Sequence, residues 1–161
     1  SRDEAIFNVI KLSKNMMLST REIIKKLNLG LIEDLGFESA LIDLFENWKR
    51  RFMGIKFEYF IDERAINKIT KKKTAHLYRI FQEALTNIAK HSSPKAIQIS
   101  IKYIENSNKI KILVSNDGIK NDSSNQEGLG LIGIAERVDQ IQGTLDIVKK
   151  KFFKIIIHLG N

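Results

Sequence analysis

The sequence predicts an α/β sandwich, a mixed and mostly antiparallel sheet covered by helices on one face, preceded by a long N-terminal helix. Two segments space their apolar residues three and four positions apart, as amphipathic helices do: 77–91 and 131–141. Five short segments have strand character, and in most of them apolar and polar residues alternate: 55–61, 97–103, 110–114, 144–148 and 153–159. With 161 residues and 43% hydrophobic composition, the chain suits one globular domain with an appendage.

The N-terminal segment from Glu4 to Leu29 has a broad apolar side and predicts one long helix. We expect it to end at Gly30, because glycine is a favoured helix stop, and residues 31–36 to form a connector. A helix of about 25 residues is about 38 Å long, which favours a partner helix, although a long core helix of the same domain is the alternative. The chain begins at Ser1 without a methionine, so we expect it to be part of a longer protein.

Residues 38–51 predict a second helix, residues 55–61 the first strand, and residues 62–73 a polar lead into the helix 77–91. On that helix Glu83, Asn87 and Lys90 follow one another at intervals of four and three residues, so they share one face. A carboxylate, an amide and an ammonium in one row suit a metal ion together with a phosphate chain. A solvated helix face is the alternative interpretation of the same row.

The segments 97–103 and 110–114 predict a hairpin whose second strand continues to Asn116. A polar loop from Ile119 to Glu127 follows Gly118, and Gly128-Leu129-Gly130 leads into the helix that begins at Leu131. Glycines allow a backbone to approach a ligand closely, and a helix N-terminus favours anions. Two glycines alone are a weak signal, but the preceding polar loop and strand end strengthen the interpretation as a phosphate site.

The composition limits the remaining possibilities. The chain has no cysteine, which excludes disulfides and cysteine metal sites, and no apolar run approaches the ~18 residues of a membrane helix. The net charge of +8 includes lysine runs at 71–73 and 149–151. These suit a polyanion, but no aromatic residues interleave with them to stack bases, so basic loops are favoured over direct nucleic acid binding. His76, His91 and His158 lack metal-ligand spacing.

Three motifs come in an order that resembles the ATP-binding domain of sensor histidine kinases. They are Glu83-x-x-x-Asn87-x-x-Lys90-His91, then Asn116-Asp117-Gly118, then Gly128-Leu129-Gly130-Leu131. The domain is shared with DNA gyrase, Hsp90 and MutL. Residues 82–92 and 128–147 are most similar to the branch that includes the nitrate and hexose-phosphate sensors, and residues 19–48 resemble its second dimerisation helix and connector.

The resemblance implies a role for each motif residue. Asn87 would coordinate Mg²⁺, and Glu83 would polarise or deprotonate the attacking group. Asn116 would contact the adenine of ATP, and Gly118 would let the backbone approach the base. The remaining residues would face or hold the phosphates under a lid formed by residues 119–127: Lys90, His91, Gly128, Gly130 and Leu131.

The resemblance also implies a division into two parts, a dimerisation helix over residues 1–30 and the ATP-binding domain over residues 31–161. The γ-phosphate of ATP would pass to a histidine absent from this chain, and then to a response regulator with a helix-turn-helix DNA-binding output. The full-length protein would be a homodimer in the inner membrane, with this part in the cytoplasm.

The sequence departs from the family pattern at three places. Asn116 replaces an aspartate, Lys120 replaces a second glycine, and Phe152-Phe153 stands where Gly-Thr is frequent. A neutral amide accepts a weaker hydrogen bond than a carboxylate, which corresponds to about a tenfold loss of affinity. These departures leave a second hypothesis open, a non-catalytic domain of the same fold that acts as a regulatory or dimerisation scaffold.

Overall fold

The computed structural model describes residues 2–118 and 129–160. The chain divides into two compact units, Ser1–Gly36 and Phe37–Asn161. Gly128 and the predicted lid, residues 119–127, lie outside the described residues.

The first unit is the helix α1 (Arg2–Leu35). The prediction that this helix ends at Gly30 was wrong, because the helix continues for five residues beyond it. A glycine inside a helix costs only about 1 kcal/mol, and the apolar pattern continues at Leu31 and Ile32. The helix ends at Gly36 instead, where φ is +81° and the backbone N–H donates to the carbonyl of Ile32.

The second unit contains the predicted sheet. The described part of the chain forms five strands of this sheet: β1 (Lys56–Ile61), β2 (Ala96–Ile104), β3 (Lys109–Asn116), β4 (Gly143–Lys149) and β5 (Phe153–Gly160). Their order is β1-β2-β3-β5-β4, and only β1 and β2 pair in parallel. The prediction of a mixed, mostly antiparallel sheet is confirmed.

The described residues of this unit form four helices: α2 (Phe37–Arg51), α3 (Glu63–Lys68), α4 (Lys71–His91) and α5 (Leu129–Gln140). The helix α3 was missed in the polar segment that precedes α4. Its start has a local cause, because the Asp62 carboxylate accepts a hydrogen bond of 3.0 Å from the backbone N–H of Arg64.

The core lies between α4 and one face of the sheet. The register aligns alternate residues of neighbouring strands, so that Ile99, Val114 and Ile155 form one buried row. The stripe of α4 that was predicted to face the core is buried: Leu77, Ile80, Phe81, Ala84, Leu85 and Ile88. The ring of Phe45 on α2 contacts those of Phe81 and Tyr59, with centroids 5.2 and 5.3 Å apart. This packing fixes which side of α4 remains available for a ligand.

Candidate nucleotide-binding site

The polar row of α4 meets the start of α5. Position 130, the second residue of α5, lies directly against the side chains of Glu83 and Asn87. A methyl group there would be 2.6 Å from Glu83 Oε1, and 2.6 and 2.7 Å from Oδ1 and Nδ2 of Asn87. Real Cβ contacts essentially never fall below 3.0 Å, so only glycine fits without displacing these side chains. The structure therefore brings three predicted site residues, Glu83, Asn87 and Gly130, into one corner.

Asn116 ends β3 on the helix-covered face of the sheet, in register with Ile97 and Phe153. Its side chain is buried, with 1% of its surface exposed. The amide Nδ2 donates to the carbonyl oxygen of Asp117 at 2.7 Å, which fixes the orientation of the amide. The Oδ1 atom is buried without a hydrogen-bond partner among the described residues. A buried acceptor of this kind suits a ligand that carries an N–H donor.

The turn after β3 places Gly118 against the end of α4. Gly118 has a φ of +80°, and an added Cβ would lie 2.2 Å from the carbonyl oxygen of Ser93. The Ser93 backbone N–H in turn donates to the Gly118 carbonyl at 3.1 Å. Both the positive φ and the close approach require glycine. This contact ties the Asn116 strand end to the helix that carries Glu83 and Asn87.

Asp117 has a structural role that the sequence did not reveal. Its Oδ1 accepts hydrogen bonds of 2.8 and 2.7 Å from the backbone N–H groups of Ala96 and Lys95. The N–H of Ala96 is the main cause that lowers the pKa of the Asp117 carboxyl. The carboxylate thus holds the beginning of β2 beside the end of β3. The only sequence signal was the Asn-Asp-Gly turn itself.

The remaining predicted residues are less closely joined to this corner. Lys90 and His91 are exposed in the last turn of α4, and the side chain of neither makes a hydrogen bond or ion pair with another described residue. Leu131 follows Gly130 on α5 and is half-exposed. Phe153 lies beside Asn116 on the neighbouring strand, at one of the departures from the family pattern.

The oxygen and nitrogen atoms of the site suit Mg²⁺ bound together with ATP, and do not form a metal site made of protein ligands alone. Within residues 2–118 and 129–160, no group of three or more His, Asp or Glu side chains could hold a metal ion. Mg²⁺ is commonly bound through one or two protein oxygens together with substrate phosphates and water. The Asn87 amide lies at the Gly130 corner and has such an oxygen, while its Nδ2 is buried without a partner in the described part of the chain.

The chain is similar to known proteins of one family. Residues 72–160 match the family described as histidine kinase-, DNA gyrase B-, and HSP90-like ATPase. The oxygen sensor histidine kinase NreB of Staphylococcus carnosus is 28% identical over 152 residues, which cover 91% of this chain and 43% of that protein. The signal transduction histidine-protein kinase/phosphatase UhpB of Salmonella typhimurium is 28% identical over 140 residues, 85% of this chain and 27% of that protein.

The fold has counterparts among solved structures. The blue-light activated histidine kinase of Erythrobacter litoralis EL346 superposes with a TM-score of 0.71 at 15% identity, covering 91% of this chain and 49% of that one. The chain thus spans less than half the length of these relatives. The predicted resemblance is confirmed by the family match over more than half of the chain. The chain belongs to the histidine kinase-, DNA gyrase B-, and HSP90-like ATPase family, as an ATP-binding domain of the sensor histidine kinase type.

Proposed function

We propose that this chain binds Mg·ATP and is the catalytic part of a two-component sensor histidine kinase. The observation that carries the proposal is the corner where Gly130 lies against Glu83 and Asn87, close enough that any side chain at position 130 would displace them. Asn116 supports it independently, because its buried Oδ1, which has no hydrogen-bond partner among the described residues, matches the exocyclic amino group of adenine. Family membership supports nucleotide binding in general.

Each residue of the site has a proposed part in the reaction. Asn116 Oδ1 accepts a hydrogen bond from the adenine, and Asn87 holds Mg²⁺. Glu83 accepts a proton from, or polarises, the imidazole that attacks the γ-phosphorus. Bound Mg²⁺ supplies neutralisation of the phosphate charge. The side chains of Lys90 and His91, at the end of α4, also contact the phosphates. The backbone N–H groups of Gly130 and Leu131, at the start of α5, bind them as well.

The proposed reaction transfers the γ-phosphoryl group to a ring nitrogen of a histidine outside this chain, with ADP as the leaving group. The phosphoryl group then passes to an aspartate of a response regulator, for which we propose a helix-turn-helix DNA-binding output. The relatives' identity as sensor histidine kinases supports both steps. Direct nucleic acid binding by this chain is not part of the proposal.

We further propose that α1 pairs with its counterpart in a homodimer of the full-length protein. The helix exposes a long series of large apolar side chains, which supports a helical partner: Ile6, Phe7, Val9, Ile10, Leu12, Met16, Met17 and Leu18. None of the helices in the described residues is long and apolar enough to cross a membrane. Attachment of a cytoplasmic domain to an inner-membrane sensor is proposed from the likeness to sensor kinases.

A titration with Mg·ATP tests the proposal against the scaffold hypothesis. The scaffold is favoured by the neutral Asn116 and by the neighbouring Phe153, where the family frequently has Gly-Thr. We expect saturable binding, and no labelled phosphate on the chain after incubation with γ-labelled ATP, because the accepting histidine is absent. Failure to saturate at millimolar nucleotide would overturn the ATP-binding proposal and favour the scaffold.

A further inference from the structure

A second concave surface adjoins Glu83. It is a cleft of about 660 Å³ between α2 and α4, here called the α2–α4 cleft. Residues of both helices line it, among them Asn47, Trp48, Arg50, Arg51, Arg79 and Glu83. Glu83 therefore borders two spaces, since its Oε1 also lies against Gly130. No motif assigned a function to the arginines of this cleft.

The described residues that line the cleft carry more positive than negative charge. Three guanidinium groups face one carboxylate, that of Glu83. Arg50 donates to the amide oxygen of Asn47, the guanidinium of Arg51 lies 5.1 Å from the centre of the Trp48 ring, and Arg79 donates to the amide of Gln82 at 3.2 Å. All three arginines thus contact neutral groups, and none forms an ion pair within the described residues.

Arg79 is the most constrained of the three. It lies one turn before Glu83 on α4 and is half-buried. Burial, and then the nearby charge of Arg137, lower the pKa of Arg79. A guanidinium stays charged in proteins even so, and its fork of N–H donors matches carboxylate and phosphate oxygens. An anion entering the cleft would offset positive charge that forms no ion pair within the described residues.

We propose that the α2–α4 cleft docks an acidic segment of the polypeptide that presents the phosphate-accepting histidine, with Arg50, Arg51 and Arg79 binding its carboxylates. This inference rests on the proposed function. If the nucleotide occupies the side of Glu83 that faces Gly130, the accepting group must reach Glu83 from another direction. The cleft opens onto Glu83 from between α2 and α4. Charge complementarity selects carboxylates as the anchoring groups on the incoming segment.

The test uses two labelled helical peptides of about 15 residues, roughly four turns. Each has a central histidine; one is flanked by glutamates and the other by glutamines at the same positions. Fluorescence anisotropy measures their affinity for the chain at up to millimolar concentration. Trp48, the only tryptophan of the sequence, lines the cleft and reports its occupancy through its emission. Mg·ATP affinity is measured separately, and inorganic phosphate serves as a competitor.

The glutamate peptide should bind, change the Trp48 emission, and lose about tenfold in affinity with Arg79→Gln, the factor expected for one charge-assisted hydrogen bond. Arg51→Gln, at an exposed position, should also lower the affinity for the glutamate peptide. This second variant tests the proposal even where Arg79→Gln perturbs folding. Lys109→Gln removes the same charge from an exposed strand position and should leave peptide affinity unchanged. All three variants should bind Mg·ATP within about twofold of the original chain, since none changes the Gly130 corner.

Equal binding of the two peptides, no binding of either, or an unchanged affinity in both arginine variants would overturn the proposal. Binding of phosphate at the cleft without competition by the glutamate peptide would assign the arginines to a small oxyanion instead, and would also overturn it. A chain that binds the glutamate peptide but no Mg·ATP would contradict the proposed function alone. The Trp48 signal keeps the two failures distinguishable.

Discussion

A single methyl group at position 130 tests the nucleotide site. In Gly130→Ala the new Cβ begins 2.6 Å from Glu83 Oε1 and from Asn87 Oδ1, whereas ordinary van der Waals contact starts at 3.4 Å. The two side chains must therefore retreat by about 0.8 Å, a displacement comparable to those that cost catalytic groups about a hundredfold. We expect Mg·ATP to bind at least about tenfold more weakly, which corresponds to about 1.4 kcal/mol.

The same substitution should not destabilise the chain. The obstructing atoms are the ends of flexible side chains, and alanine is up to about 1 kcal/mol more favourable than glycine within a helix. Gly133→Ala is the matched control, because it lies in the same helix with nothing within 4 Å of its added Cβ. It should raise the free energy of unfolding by about 0.5–1 kcal/mol and leave nucleotide affinity unchanged.

Isothermal titration with Mg·ATP and urea unfolding of the three proteins separate binding from stability. If Gly130→Ala binds Mg·ATP as tightly as Gly133→Ala does, the corner of Glu83, Asn87 and Gly130 is not where the phosphates bind. A loss of stability in Gly130→Ala without loss of binding would contradict the reasoning as well, because the displaced groups would then serve the fold rather than the ligand.

Three further predictions concern the end of β3. Gly118→Ala combines a φ of +80° with a Cβ only 2.2 Å from the Ser93 carbonyl oxygen, so urea unfolding should show that the free energy of unfolding falls by more than about 2 kcal/mol. Gly54→Ala is the control, because it has a φ of +77° but open space around it, and its free energy of unfolding should fall by only about 1 kcal/mol. The backbone N–H of Ala96 lowers the folded-state pKa of Asp117, so this carboxylate stabilises the fold above its unfolded pKa and the contribution is lost as pH falls through the folded one. Unfolding midpoints should therefore decline below about pH 4, and less steeply in Asp117→Asn; equal slopes would contradict this. The original chain should bind ATP about tenfold more tightly than inosine triphosphate, because inosine lacks the amino group from which Asn116 Oδ1 is proposed to accept a hydrogen bond. Asn116→Leu should abolish this preference. Equal affinities of the original chain for the two nucleotides would show that Asn116 does not bind the base.

The sequence predicted best those elements whose residue pattern depends only on neighbouring positions in the chain. Alternation predicted β2 and β3 because one face of each strand is buried, as Ile99 and Ile112 show. The spacing of Glu83 and Asn87 predicted their common helical face in the same way. The end of α1 was misplaced because Gly30 and Gly36 are equivalent as local signals, and only Gly36 adopts the positive φ that ends the helix.

Features that depend on distant segments could not be predicted. The carboxylate of Asp117 binds backbone groups 21 and 22 residues earlier in the chain, a contact created by the pairing of β2 and β3. The α2–α4 cleft likewise joins Arg50 and Arg51 to Arg79 through the packing of two helices. In the sequence these arginines have the spacing of ordinary solvated helix residues, so only the fold reveals their common surface.

Two buried amide atoms connect the stability of the chain to its ligand. Asn87 Nδ2 and Asn116 Oδ1 have no hydrogen-bond partner among the described residues, and each such atom costs about 1–3 kcal/mol. By contrast, the buried hydroxyl of Thr74 donates to the Lys71 carbonyl at 2.7 Å. A domain stabilised by only about 5–15 kcal/mol retains such atoms where a ligand satisfies them. Asn87→Leu should therefore raise the melting temperature of the nucleotide-free chain while reducing the further rise that Mg·ATP produces. A lower melting temperature without nucleotide, with the Mg·ATP increment intact, would show that the Asn87 amide serves the fold and not the nucleotide.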